Sequence, residues 1–240
     1  VANSGFLSLC AHGRVTGLAV EAGAASSHVT SVCGGQTLST CSLGVAGEQL
    51  TGHLERLLLE SPAGPAVLQA LTRKVLTQLK ERCCYVSLDY ERELWHRGSH
   101  HPARFQTPDG HWITLGKERF CCPEPLFQPK LLQHSYPGLH QLAWQSLQAA
   151  PEQVRRHLLG NIVLSGGSSM FPGFPERMCL ELNFLSQDTG VHVEVLANPG
   201  RSTAAWAGGS MAASLTSFQH MWMTKHEYQE HGAEYVHTKF

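Results

Sequence analysis

The chain has 240 residues, 42% of them hydrophobic and 15% charged, with a formal net charge of −1. That length suits one large domain or two small ones around a sizeable core, and the near-neutral balance leaves no basic face for nucleic acid and no polybasic anchor for a membrane surface. The opening VANSGFLSLCAHGR has no charged region followed by an unbroken apolar stretch, and no run of about 18 apolar residues occurs, so the chain reads as intracellular and soluble. Val1 in place of methionine reads as a chain that was processed or cut from something longer.

The eight cysteines include the neighbours Cys83-Cys84 and Cys121-Cys122 but no C-x-x-C, which implies reduced, partly buried thiols. Fifteen histidines occur without H-E-x-x-H or a Cys/His set at zinc-finger spacing, so no metal site is expected, and His100-His101 reads as a loop feature.

In chain order, RVTGLAVEAGAASSHVTSVCGG (14–35) holds two β-branched apolar runs around the small-residue turn 21–25, which predicts a hairpin. GEQLTGHLERLLLE, from residue 47, sets Leu50, Leu54, Leu57 and Leu58 at helical intervals, and a second helix is predicted from about Pro65 to Glu81. CCYVSLDYERE predicts a short strand running into charge, and the Gly/His/Pro/Ser-rich stretch 98–110 a mobile loop. HWITLGKERFCCPEPLFQP predicts a strand and then irregular, proline-punctuated chain. Leu139, Leu142, Leu147, Val154 and Leu158 predict two helices broken near Pro151.

NIVLSGGSSMFPGFPERM (161–178) predicts a strand, a tight glycine turn and a helix start. Glycines there let a backbone approach a ligand, though spacing alone favours a plain structural turn. VHVEVLANP predicts another strand, and AAWAGGSMAASLTSFQHMWMTKHEYQE an unusually apolar helical ending. No fixed-period repeat is visible, and strands alternating with helices make the fold class mixed α/β.

Several of these stretches together resemble the actin family: SLCAHGRVTGLAV, KERCCYVSLDYERE, WITLGKERFCCPEPLFQP, NIVLSGGSSMFPGFPERM and the ending WAGGSMAASLTSFQHMWMTKHEYQEHGAEYVHTKF, in actin's order. The resemblance spans nearly the whole chain but only about the C-terminal two-thirds of an actin; the first phosphate loop, the N-terminal strands and the small DNase-loop subdomain have no counterpart in it. The resemblance implies an actin-like ATPase (RNase H-like) fold, with residues 1–203 forming the second large-domain half. Residues 204–240 would form a C-terminal helical segment of the kind that in actin packs on the first half.

By resemblance, ATP and a divalent cation lie between two such halves. Gly166, Gly167, Ser168 and Met170 match the loop beside adenosine and phosphate, Lys80 and Glu81 the pair at the base and ribose, and Gly23, Ala24 and Ala25 the second phosphate loop. The departures are as informative. Glu21 and Ala24 stand where actin carries aspartates that order metal-bound water, Ser4 where its water-positioning glutamine falls, and Ser202 where a lysine flanks the base. Phosphoryl transfer rests on positioning and charge neutralisation, so turnover should be absent or vestigial, ATP binding weak, and magnesium present only with ATP.

Without the resemblance, Lys80 and Glu81 serve equally as a solvated pair at a helix end, and Glu21 as an exposed turn residue. Asp89 reads as structural, and both Gly166 and Gly167 as needed by their turn. Trp206, Met211, Leu215, Phe218, Met221 and Trp222 form an apolar stripe expected either to bind a partner or to fray. The functional expectation is a non-catalytic, structural member of a cytoskeletal assembly in the cytoplasm, acting through protein–protein interaction with actin, an actin-binding protein or a second copy. The alternatives are a nucleotide-dependent, ATP-binding actin-related protein whose first half comes from a preceding segment or another chain, and a nuclear chromatin-complex subunit.

Overall fold

In the computed structural model residues 2–61, 71–96, 101–235 and 238 are described. Its centre is a sheet whose inner strands are largely buried on both faces, covered from both sides. After helix α1 (Ser4–Cys10), the chain forms β1 (Gly17–Ala22), β2 (Ser27–Cys33) and β3 (Gln36–Leu43), each antiparallel to the one before. The predicted hairpin is thus present, extended by a third strand.

Helix α2 (Gly47–Leu59) follows, burying Leu50, Leu54 and Leu58, and then α3 (Arg73–Cys83), burying Leu76, Leu79 and Cys83 in the same core. The predicted start of this second helix, near Pro65, lies outside the described residues. α4 (Tyr90–Trp95), the hairpin β4 (Ala103–Gln106) and β5 (Trp112–Leu115), and the short α5 (Glu118–Cys121) come next.

Helices α6 (Leu139–Ala149) and α7 (Glu152–Leu159), broken at Pro151 as predicted, lead to β6 (Ile162–Ser165), α8 (Phe174–Ser186), β7 (Val195–Leu196), α9 (Ala204–Ala213) and α10 (Lys225–His231). The main sheet runs β3-β2-β1-β6-β7, with β6 parallel to both β1 and β7. Alternation along β1 divides the core: Leu18, Val20 and Ala22 join the large cluster that includes α2, α3, α6 and α8, whereas Ala19 packs with Leu9, Val32 and Val163 beneath α1. The mixed α/β architecture is the one expected.

Four expectations need correction. Residues 84–87 form no strand, because their amides serve separate segments of the chain: Tyr85 N donates to Arg119 O in α5 and Val86 N to Pro172 O in the loop before α8. The charged sequence after them is helix α4, capped by Asp89, whose carboxylate accepts from Arg92 N at 3.1 Å. The stretch 98–110 is not all loop: β4 occupies part of it, since Phe105 is buried opposite Ile113, while His100 lies outside the described residues. VHVEVLANP contributes only a two-residue strand. The apolar ending is helical in pieces, α9, a 3₁₀ turn (Thr216–Met221) and α10, divided where Leu215 and Trp222 are extended.

An ion pair is sealed between α8 and the chain after α5. Arg177 Nη2 donates to Glu124 Oε1 at 3.0 Å, Nη1 to Ser87 O at 2.7 Å and Nε to Glu181 Oε1 at 2.7 Å. Glu124 is fully buried, and burial raises its carboxyl above the ordinary value while Arg177 pulls it back.

Candidate functional site

β1 and β6 run side by side in one direction and pair Glu21 with Ser165. Both strands therefore end at one edge of the sheet, where α/β proteins place ligands, and the chain leaves through loops 23–26 and 166–170. These loops are tied together: Ser168 Oγ donates to Gly23 O at 2.8 Å. Gly166 has φ of 89°, and a Cβ on it would overlap Ala22 O, so no other residue allows the loop this close to β1. Gly167 differs, with no atom within 4 Å of a Cβ built there. The expectation that the turn needs both glycines holds for Gly166 alone. Arg201 anchors the far side, accepting Gly166 N on its carbonyl at 3.0 Å and donating through Nη2 to Ser169 O at 2.9 Å.

The first amides of α2, which at an open helix start would offer an anion site, are already used: Gly47 N donates to Gly23 O at 3.0 Å and Glu48 N to Ala24 O at 2.8 Å. Lys80 reaches across from α3, its Nζ donating to Gly47 O at 2.6 Å and Thr51 Oγ1 at 2.9 Å. It is 5% exposed, and burial pulls its ammonium below the ordinary lysine range. The solvated-pair reading is thereby overturned for Lys80, whereas Glu81 is exposed.

A cleft of about 300 Å³ opens between these elements. Ala24, Lys80, Glu81, Gly167, Ser168 and Met170 line it, while Gly23, Ala25 and Gly166 are not part of its lining. Its remaining lining, Gly47, Glu48, Thr51, Arg73, Thr77 and Phe171, was not anticipated. Arg73 and Thr77 were within reach of pattern reasoning, because on a helix they share the face of Lys80 and Glu81. The α2 residues carried no local signal. Ser202 is exposed and outside the lining.

Glu21 is not an exposed turn residue. It is 9% exposed at the end of β1, its Oε2 accepting from Ser4 Oγ at 2.8 Å and its Oε1 from Ser8 Oγ and Ser165 Oγ, both at 3.3 Å. Ser8 Oγ also lies 3.1 Å from Ser165 Oγ. The carboxylate is thus surrounded by hydroxyls from α1 and β6.

The apolar stripe of the ending divides. α9 packs on α1, where a Cβ on Gly208 would overlap Leu7 O, so this helix has a partner within the chain. Its other side keeps Trp206 77% exposed, with Met211, Leu215, Met221 and Trp222 also exposed. Phe218 is half-buried and meets Trp222 edge to face at 4.9 Å between centroids.

The paired strand ends, the loop held by Gly166 and the cleft above them belong to a mixed α/β fold around a five-stranded sheet, the fold class that the resemblance implied. The family model described as Actin matches residues 1–240, the whole length of the sequence, and the chain belongs to the actin family.

Proposed function

We propose that this actin-family chain acts by binding rather than by turnover, as a non-catalytic structural component of a cytoskeletal assembly in the cytoplasm. The observation that carries this reading is the closure of Glu21 by Ser4, Ser8 and Ser165. A carboxylate whose two oxygens are engaged by side-chain hydroxyls is poorly placed to order an attacking water, and Ala24 beside it offers no second carboxylate. The exposed face of Trp206, Met211, Leu215, Met221 and Trp222 supports a protein partner: actin, an actin-binding protein or a second copy. ATP, where it binds, is held weakly.

The test is phosphate release by the purified chain with ATP and Mg²⁺. Release at the rate of buffer alone is expected, and clear magnesium-dependent turnover would sink the reading. A second reading, a nucleotide-dependent actin-related protein completed by another segment or chain, is favoured by the cleft, which gathers six predicted residues, Ala24, Lys80, Glu81, Gly167, Ser168 and Met170. Thermal denaturation separates the two: ATP·Mg²⁺ at about 100 times its dissociation constant adds about 2.7 kcal/mol of stability. Saturable stabilisation at nanomolar nucleotide would favour the second.

A further inference from the structure

A second cavity, about 350 Å³ in volume, opens where α6 and α7 meet the chain before β7, and it shares no lining residue with the cleft at the ends of β1 and β6. Leu147, near the end of α6, and Leu159, at the end of α7, are buried against the core, and Trp144 and Val191 stand half-buried beside them. The segment that carries Val191 is fixed by its own hydroxyl bonds: Thr189 Oγ1 donates to Ser186 O at 2.7 Å and accepts from Val191 N at 3.3 Å. Aromatic and aliphatic walls closed by a few polar groups are the usual make-up of small-molecule sites, which span about 300–1,000 Å³.

The rim supplies those polar groups. Its charged side chains are Arg155, Arg156 and Glu152, two cations against one carboxylate. Arg155 follows the break at Pro151 and reaches back to the end of α6, its Nε donating to Ala150 O and its Nη2 to Gln148 O, both at 2.8 Å. Carbonyls at a helix end lack partners within the helix, so these bonds hold the guanidinium in place. They occupy its Nε edge and leave the Nη1 edge of the planar fork for an acceptor. A guanidinium already held loses little freedom on gripping a carboxylate through two parallel bonds. Arg156 is exposed and makes no hydrogen bond or ion pair among the described residues, so it adds positive charge beside that fork. Glu152, also exposed, offsets part of it and disfavours a ligand with several negative charges. Charge alone contributes little at so open a rim, and selection falls to the fork and the apolar walls acting together.

We propose that this cavity binds a small aromatic monocarboxylate, its ring against Trp144, Leu147, Leu159 and Val191 and its carboxylate on the fork of Arg155. The site does not depend on whether the chain turns over ATP. Calorimetric titration of the purified chain with 2-naphthoate, neutral 2-naphthol and 2,6-naphthalenedicarboxylate tests it. 2-Naphthoate should bind with a dissociation constant of roughly 10–100 µM, and the other two about tenfold more weakly. Arg155→Lys keeps the charge but not the fork, and should weaken 2-naphthoate about fivefold while leaving 2-naphthol unchanged. A merely structural role for Arg155 would move both ligands together. Val191→Trp, which fills the cavity from a half-buried position, should abolish both; if that variant does not fold, Trp144→Ala should weaken both about tenfold.

The proposal is overturned if 2-naphthol binds as tightly as 2-naphthoate, if neither binds below about 1 mM, if the dicarboxylate binds tightest, or if Arg155→Lys weakens acid and alcohol equally. Displacement of 2-naphthoate by ATP would overturn it as well, by placing the acid at the ends of β1 and β6 instead.

Discussion

Ser4 Oγ donates to Glu21 Oε2 at 2.8 Å, joining the start of α1 to the end of β1. These are the two positions at which the resemblance drawn from the sequence sets serine against a glutamine and glutamate against an aspartate. Asn3 fixes Ser4 at the head of α1, its Oδ1 accepting from Gly5 N at 2.9 Å and Phe6 N at 3.2 Å.

Ser8 is fully buried and donates into this cluster from the next turn of α1. Ser8→Ala should cost about 1–3 kcal/mol in urea unfolding, because a buried carboxylate oxygen loses a donor that water cannot replace. A loss below about 0.5 kcal/mol, ordinary for a neutral surface change, would show that the hydroxyls do not stabilise Glu21.

Gly166→Ala and Gly167→Ala should part company. The first forces a side chain into a left-handed backbone and onto Ala22 O, and a loss above about 3 kcal/mol is expected. The second points a methyl into open space and should stay within about 0.5 kcal/mol. Equal losses would mean that the loop is held in some other way.

Arg177→Met should destabilise the chain by about 3–5 kcal/mol, since it strands the fully buried Glu124 carboxylate. Adding Glu124→Met should recover much of that loss, as replacing both partners removes the unpaired charge. A double variant no better than the single one would locate the cost in Ser87 O and Glu181, the other acceptors of the guanidinium.

Stability should fall as the solution is acidified through the histidine range. Burial lowers both His53 and His140 below the ordinary 6.5, so below that pH the unfolded chain binds more protons than the native one. The melting temperature is therefore expected to drop from about pH 7.5 to about pH 5.5, and His53→Gln with His140→Gln should flatten the slope. Glu124 has the opposite sign: its carboxyl is raised above 4.5, and protonating it at lower pH favours the native state. A flat wild-type profile would contradict the assigned burial of the histidines.

Gly208→Ala should loosen α9 from α1, because the added methyl overlaps Leu7 O. Limited proteolysis should then cut near Met211 well before the strands open, whereas Trp206→Ala, on the exposed side, should change stability by less than about 0.5 kcal/mol. Equal protease resistance in wild type and Gly208→Ala would remove the α1 contact as the anchor of the ending.

Periodicity and punctuation decide whether a segment can be helix or strand, and those properties are local. The hairpin 14–35, the helix carrying Leu50, Leu54 and Leu58, the break at Pro151 and the turn after Leu164 were all legible for that reason. So was the resemblance to actins. Pairing is not local: residues 84–87 look like a strand but find their acceptors on a short helix and a loop far apart in the chain, and β4 was hidden among loop-forming residues because only Ile113 opposite makes Phe105 a core position.

The same division runs through the site. The glycine turn and the Lys80-Glu81 pair could be named from spacing and resemblance, yet only packing set Lys80 on the first turn of α2 and gathered Ser4, Ser8 and Ser165 around Glu21. Ser8 and Ser165 are separated by 157 positions along the chain. No window of sequence contains them both, and a hydroxyl becomes a carboxylate's partner only where the fold excludes the water that would otherwise take its place.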